Sequence, residues 1–86
     1  MALAGKGKIN FGMGTFSTEQ TMSMGEAWVG PGYRISSDGY YISLDGLRQF
    51  RPPSFKPKLG IIQANFEQRT QPYGKWGANG HVEVLP

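Results

Sequence analysis

The chain contains no cysteine. It can form no disulfide and no thiolate zinc site, which excludes the stapled scaffolds of small secreted proteins. That composition suits a reducing cytosol, and equally a domain that must unfold to cross between compartments. Histidine occurs once, at His81, and the two aspartates, Asp38 and Asp45, each precede a glycine in a turn signal. So few ligands make a poor metal site. No apolar run approaches the roughly 18 residues that a membrane span needs. No signal peptide is evident, because Met1-Ala2-Leu3-Ala4 gives way at once to Gly5 and Lys6. Gly5-Lys6-Gly7-Lys8 lacks the spacing of a phosphate-cradling loop, and Gly12-Met13-Gly14 is not followed by a dinucleotide fingerprint. No serine sits in a nucleophile elbow. No cofactor is therefore expected.

What is present is small, basic and aromatic. Eighty-six residues make one domain with a marginal core. Two Trp, four Tyr and five Phe supply the bulk for it. The net charge is +3, and its placement says more than its size. Between Gly46 and Phe66 lie Arg48, Arg51, Lys56 and Lys58 with no anion among them. A local basic patch suits a polyanion such as nucleic acid.

Organisation follows from punctuation. Residues 1–16 read as a Gly-rich leader, irregular apart from a short edge strand at Lys8-Ile9-Asn10-Phe11. Residues 17–86 read as a single domain. Ser17-Thr18-Glu19-Gln20 has the form of a capping box. It predicts a helix over 18–28, with Met22, Met24, Trp28 and Val29 on its apolar side. Gly30-Pro31-Gly32 ends that helix. Two Asp-Gly turns then imply a three-stranded meander through 33–35, 40–43 and 47–51. Pro52-Pro53 is expected to stop its third strand, leaving 52–60 as a basic loop. Residues 61–69 predict a strand with Ile62, Ala64 and Phe66 on one face and Gln63, Asn65, Glu67 and Arg69 on the other. A loop over 70–80, anchored by Tyr73 and Trp76, leads to a last strand, 81–85. The fold class is α+β: an N-terminal helix packed on a twisted antiparallel sheet of four to five strands.

The tail Gly80-His81-Val82-Glu83-Val84 carries the strongest chemical signal. Positions i and i+2 of a strand share a face, so His81 and Glu83 stand together while Val82 and Val84 face the core. Imidazole is the side chain best matched to proton transfer near neutral pH. If strand 81–85 pairs beside 61–69, the pair joins the row Gln63, Asn65, Glu67 and Arg69. Such a face beside a basic loop fits metal-free RNA cleavage. A base takes the 2′-OH proton, an acid protonates the departing 5′-oxygen, and a cation holds the charge on phosphorus. His81 can serve as either base or acid, with Glu67 or Glu83 as its partner. Arg51, Arg69 or Lys56 can hold phosphate, with Arg48 and Lys58 nearby. Tyr73 and Trp76, like Tyr33, Tyr40 and Tyr41, can stack on unpaired bases, although rings at such spacing more often anchor cores and loops. DNA lacks the 2′-OH and would call for a metal-bound water, so RNA is the better substrate.

Several segments resemble the C-terminal toxic domains of bacterial polymorphic toxins. They are Ser23-Met24-Gly25-Glu26-Ala27-Trp28-Val29-Gly30-Pro31-Gly32-Tyr33, Ser37-Asp38-Gly39, Asp45-Gly46-Leu47-Arg48-Gln49-Phe50-Arg51-Pro52-Pro53-Ser54-Phe55-Lys56-Pro57, Gln63-Ala64-Asn65-Phe66-Glu67 and Gly80-His81-Val82-Glu83. Such domains end Rhs-repeat and contact-dependent inhibition proteins. The resemblance covers about residues 23–84. It implies a nuclease secreted as part of a larger protein, delivered to the cytoplasm of a rival cell, and neutralised at home by an immunity protein. It also implies a compact ribonuclease fold similar to barnase and the colicin nucleases. Charge complementarity makes that immunity protein acidic. The competing expectations are a non-catalytic nucleic-acid-binding module, a metal-dependent DNase, and a toxin that attacks a nucleotide such as NAD.

Overall fold

A computed structural model describes residues 9–85. Its elements in chain order are β1 (Ile9–Ser17), α1 (Thr18–Val29), β2 (Arg34–Ile35), β3 (Tyr41–Ile42), β4 (Arg48–Lys56), β5 (Ile61–Gln68) and β6 (Ala78–Leu85). The strands form one sheet in the order β1-β6-β5-β4-β3-β2. From β2 to β6 the sheet is an antiparallel meander, and β1 lies parallel to β6. The domain is therefore α+β, with one helix on a mixed, mostly antiparallel, six-stranded sheet.

The helix begins as its capping box dictates. The Gln20 backbone N–H donates to Ser17 Oγ at 3.1 Å, and the Ser17 N–H donates to Gln20 Oε1 at 3.0 Å. Two of the orphan donors at the helix start are satisfied reciprocally. At the other end Gly30 takes φ 73°, a left-handed conformation that costs glycine little, and its N–H donates to Glu26 O. The buried helical residues are Thr21, Gly25, Trp28 and Val29. Met22 and Met24 only flank the core, so the helix face is turned slightly from the expected one. The reason is Gly25, whose missing side chain lets the helix sit directly on Phe50. Beneath the helix lie Phe50, Ala64, Phe66, Ala78, Val82 and Val84, all buried. The expected inward placement of Ala64, Phe66, Val82 and Val84 therefore holds.

Three features depart from the sequence expectation. The strand expected at 8–11 runs on to Ser17 and becomes a sixth, parallel strand, where four or five antiparallel ones were expected. Its alternation is hidden by glycine and by a register shift between Gly12 and Thr15, where Gly14 takes φ 110°. Residues 1–8 of the expected leader lie outside the described residues. Next, Pro52-Pro53 does not end the third meander strand, and β4 continues to Lys56. Both prolines fall in the register shift between Arg51 and Ser54. On its other side β4 is paired to β3 only at Gln49 and Phe50. Proline is tolerated there, because beyond Phe50 that side of β4 needs no ladder donor. Finally, β6 starts three residues before the expected 81, at Ala78. That extension brings Asn79 into the ladder opposite Glu67.

Candidate functional site

The sheet face away from the helix carries the polar residues. Three cross-strand rows organise it. Gln49 of β4 stands opposite Glu67 of β5, and Glu67 opposite Asn79 of β6. Arg51 stands opposite Asn65, and Asn65 opposite His81. Ser54 stands opposite Gln63, and Gln63 opposite Glu83. The expected union of Gln63, Asn65, Glu67, His81 and Glu83 on one face is thus what β5–β6 pairing produces. Arg51 joins it from β4.

Glu67 is the centre of this face. Its carboxylate accepts from Gln49 Nε2 at 2.7 Å and lies 3.1 Å from Arg51 Nε. A second Arg51 nitrogen donates to the other carboxylate oxygen at 3.4 Å. Burial sharpens these contacts, since Glu67 is 7% exposed, Gln49 7% and Asn65 4%. A charge that deep persists only when it is paired and hydrogen-bonded. Arg51 is held from above as well, its guanidinium 5.6 Å from the Tyr40 ring centroid. Asn65 Nδ2 donates to Asn79 Oδ1 at 3.1 Å.

The helix braces this cluster from behind. The Trp28 indole N–H reaches the backbone carbonyls of Gln49 and Glu67, each at 3.2 Å. Those are the two residues whose side chains meet on the opposite face. One core side chain therefore fixes the strand pair on which the polar centre stands. The Trp28 ring meets Phe66 edge-on, with centroids 6.4 Å apart, so the brace is itself packed.

His81 is half-buried, with Asn65 on one side and Gly12 of β1 on the other. A Cβ at Gly12 would come within 3.6 Å of His81 Nε2, so bare backbone flanks the ring there. Glu83 is exposed beyond it. Glu67 and Glu83 each lie one same-face step from the His81 row, in opposite directions. Four residues of strand separate the two rows by about 13 Å of backbone, so Glu67 and Glu83 flank the His81 row from opposite sides. Lys56 stands opposite Ile61 at the far end of the same face, and exposed Lys58 sits in the β4–β5 turn.

Other expected site residues are committed elsewhere. Arg48 packs on the helix side, 4.5 Å from the Trp28 ring centroid, and donates to the Trp28 carbonyl. Arg69 lies just past β5. It donates to the carbonyls of Gly46 at 2.7 Å and Gly74 at 3.0 Å, and lies 4.0 Å from the Trp76 ring centroid. Burial, and then the nearby charge of Arg34, pull its guanidinium below its ordinary pKa. Arg69 and Trp76 thus tie two loops together. Tyr73 is 98% exposed on that loop, away from the polar centre. Tyr33 stacks on Tyr41, which packs against Phe50, so both belong to the core margin.

Sequence reasoning did not single out Gln49 or Asn79, and it offered Tyr40 only as a stacking ring. The signal for the first two was the period of two, which runs back from Arg51 to Gln49 and from His81 to Asn79. Among the described residues no group of three or more His, Cys, Asp or Glu could hold a metal ion. Comparison with protein-family models, curated proteins and solved structures finds no match.

Proposed function

We propose that this chain is a metal-independent endoribonuclease toxin domain. The observation that carries the reading is the row Arg51–Asn65–His81 lying beside the Arg51–Glu67 ion pair on one sheet face. Those residues bring a carboxylate, a guanidinium and an imidazole to neighbouring positions. RNA cleavage by its own 2′-OH needs a base, an acid and a cation, and that set can supply all three. The segments that resemble polymorphic toxin domains support the same class. So does the architecture, a helix on a sheet, which suits a small ribonuclease like barnase and the colicin nucleases.

The reaction is an in-line displacement at phosphorus. The 2′-oxygen attacks, its proton passes to the Glu67 carboxylate, and the P–O5′ bond breaks. His81, protonated, gives its proton to the departing 5′-oxygen. The products are a 2′,3′-cyclic phosphate and a free 5′-hydroxyl. Glu67 is preferred to Glu83 as the base because Gln49 fixes its position. Arg51 faces the phosphorane oxygens, where its planar fork matches two of them. Gln63 and Lys56 extend the binding face toward the next nucleotide, and Tyr40 offers a ring for a base.

In its biological setting the domain is the toxic end of a larger secreted protein, delivered to the cytoplasm of a target bacterium. A cognate acidic immunity protein covers this same face in the producer. The test is incubation of the purified protein with total RNA in EDTA. Cleavage with cyclic phosphate ends supports the reading. RNA left intact, with plasmid DNA cut only when metal is added, would point to a DNase. Salt-sensitive RNA binding with neither cleavage nor growth arrest would point to a binding module.

A further inference from the structure

Among the described residues, two buried side-chain polar atoms lack a hydrogen-bond partner: Arg51 Nε and Asn65 Oδ1. One is a donor and the other an acceptor. They belong to residues directly opposite each other in the β4–β5 ladder. Arg51 Nε lies 3.1 Å from Glu67 Oε1, close enough for charge attraction, yet its N–H is not aligned with that oxygen. Asn65 is 4% exposed, and its Nδ2 donates to Asn79. Leaving two such atoms unpaired is costly, and a single bond between them would satisfy both. Reach is no obstacle. Opposed Cβ atoms stand about 5 Å apart, and the arginine chain is long.

We propose that Asn65 is the positioning residue for Arg51, with Oδ1 receiving the Nε–H when the guanidinium turns from Glu67 toward a phosphate. In the resting arrangement Arg51 covers the Glu67 carboxylate. In the working arrangement Asn65 holds the Nε end, the two terminal nitrogens face phosphate oxygens, and Glu67 keeps only its bond from Gln49. The turn thus uncovers the base and places the cation in one movement. The bond to Asn79 engages the Asn65 amide through its nitrogen and leaves Oδ1 as the end available to Arg51. The inference rests on the nuclease reading for the identity of the phosphate, while the rearrangement is testable without RNA.

The measurement is solvent exchange of the Arg51 Nε–H by ¹⁵N NMR. In Glu67→Gln, which frees the guanidinium from its charge partner, exchange is expected to slow about tenfold as the bond to Asn65 forms. Inorganic phosphate added to the wild-type protein is expected to act in the same direction. Glu67→Gln/Asn65→Ala should lose the protection, and Glu67→Gln/Asn65→Asp, which keeps an acceptor oxygen, should retain it. Exchange in Glu67→Gln that is no slower than in wild type overturns the assignment, whether or not the Asn65→Ala protein folds. So does protection that survives Asn65→Ala. Intact RNA in the EDTA assay alongside the expected protection would sink the cleavage reading and still support Asn65 as the holder of Arg51.

Discussion

Gly25 of the helix lies against the ring of Phe50 with no room for a Cβ between them. Phe50 is fully buried, and its ring is held by Phe66 and Tyr41 on other strands. It cannot move aside. Its chain neighbours Gln49 and Arg51 both contact Glu67, so this one approach sets the height of the helix over the polar centre. Gly25→Ala would gain about 1 kcal/mol of helix propensity. Overpacking a rigid core costs about 1–3 kcal/mol or more, and here the clash falls on the ring itself. The net expectation is a loss of roughly 2 kcal/mol, read as a Tm fall of about 10 °C. A thermal melt unchanged or raised by the substitution would show that the helix can lift off freely.

The Arg51–Glu67 pair is expected to stabilise the fold as well as furnish the site. Their side chains are 30% and 10% exposed. Arg51→Ala leaves a nearly buried carboxylate with Gln49 alone, at a cost of about 2 kcal/mol, discounted from the fully buried case because Arg51 is partly wet. Glu67→Gln combined with Arg51→Ala should cost less than the sum, with a coupling energy of about 1 kcal/mol. Urea denaturation of the two single variants and the double variant measures it. Strict additivity would mean that the pair contributes nothing to stability.

Asp45 predicts a change on the acid side of the stability curve. The Ser43 hydroxyl, first, and the Leu47 backbone N–H hold its carboxyl below the ordinary value. The folded chain thus binds that proton less readily than the unfolded chain. The resulting stabilisation is complete above the unfolded pKa of about 4, and is lost as pH falls through the lower folded value. Asp45→Ala should therefore lower Tm at neutral pH and flatten its decline below about pH 4. Parallel melts of the two proteins from neutral to strongly acidic pH decide this; curves that stay equally separated throughout would argue against it.

Local signals in this chain were legible and long-range ones were not. Ser17 and Gln20 announced the helix because both capping bonds close within four residues. Asp45-Gly46 announced a turn because the aspartate bonds its own neighbours. The shared face of Asn65, Glu67 and His81 followed from the period of two once β5 and β6 were assumed to pair. The parallel β1–β6 pairing joins the first described strand to the last, and no local pattern encodes it. Pro52-Pro53 read as a stop because the sequence does not reveal how short β3 is. Arg48 and Arg69 read as phosphate ligands because a cation carries no sign of the Trp28 or Trp76 ring that engages it.

His81→Ala is expected to leave the fold intact and remove the activity. The side chain is half-buried on a strand that other contacts hold, so the stability cost is about 1 kcal/mol. Loss of an acid–base group lowers the rate by about 10²–10⁴. Glu83→Gln is expected to be nearly silent, because the base is Glu67, held by Gln49, while Glu83 stands exposed on the other side of the His81 row. RNA cleavage by both variants, with circular dichroism as the control for folding, tests the pair. A folded His81→Ala protein with wild-type activity would refute the assignment.

The basic residues divide in the same way. Lys56 lies on the polar face and Lys58 at its end, whereas Arg48 and Arg69 spend their guanidinium groups on Trp28, Trp76 and backbone carbonyls. Only cations that meet phosphates release counterions, and each such contact contributes about 0.7 to the salt slope on single-stranded RNA. Lys56→Gln should therefore reduce that slope by about 0.7, with Lys58→Gln acting in the same direction. Arg48→Gln should leave the slope unchanged and lower stability instead, since it removes a packed cation from the helix end. Binding is best measured across a salt series with the His81→Ala protein, which keeps the RNA whole. If Arg48→Gln lowers the slope and Lys56→Gln does not, RNA runs over the helix side, and the polar face is not where it is held.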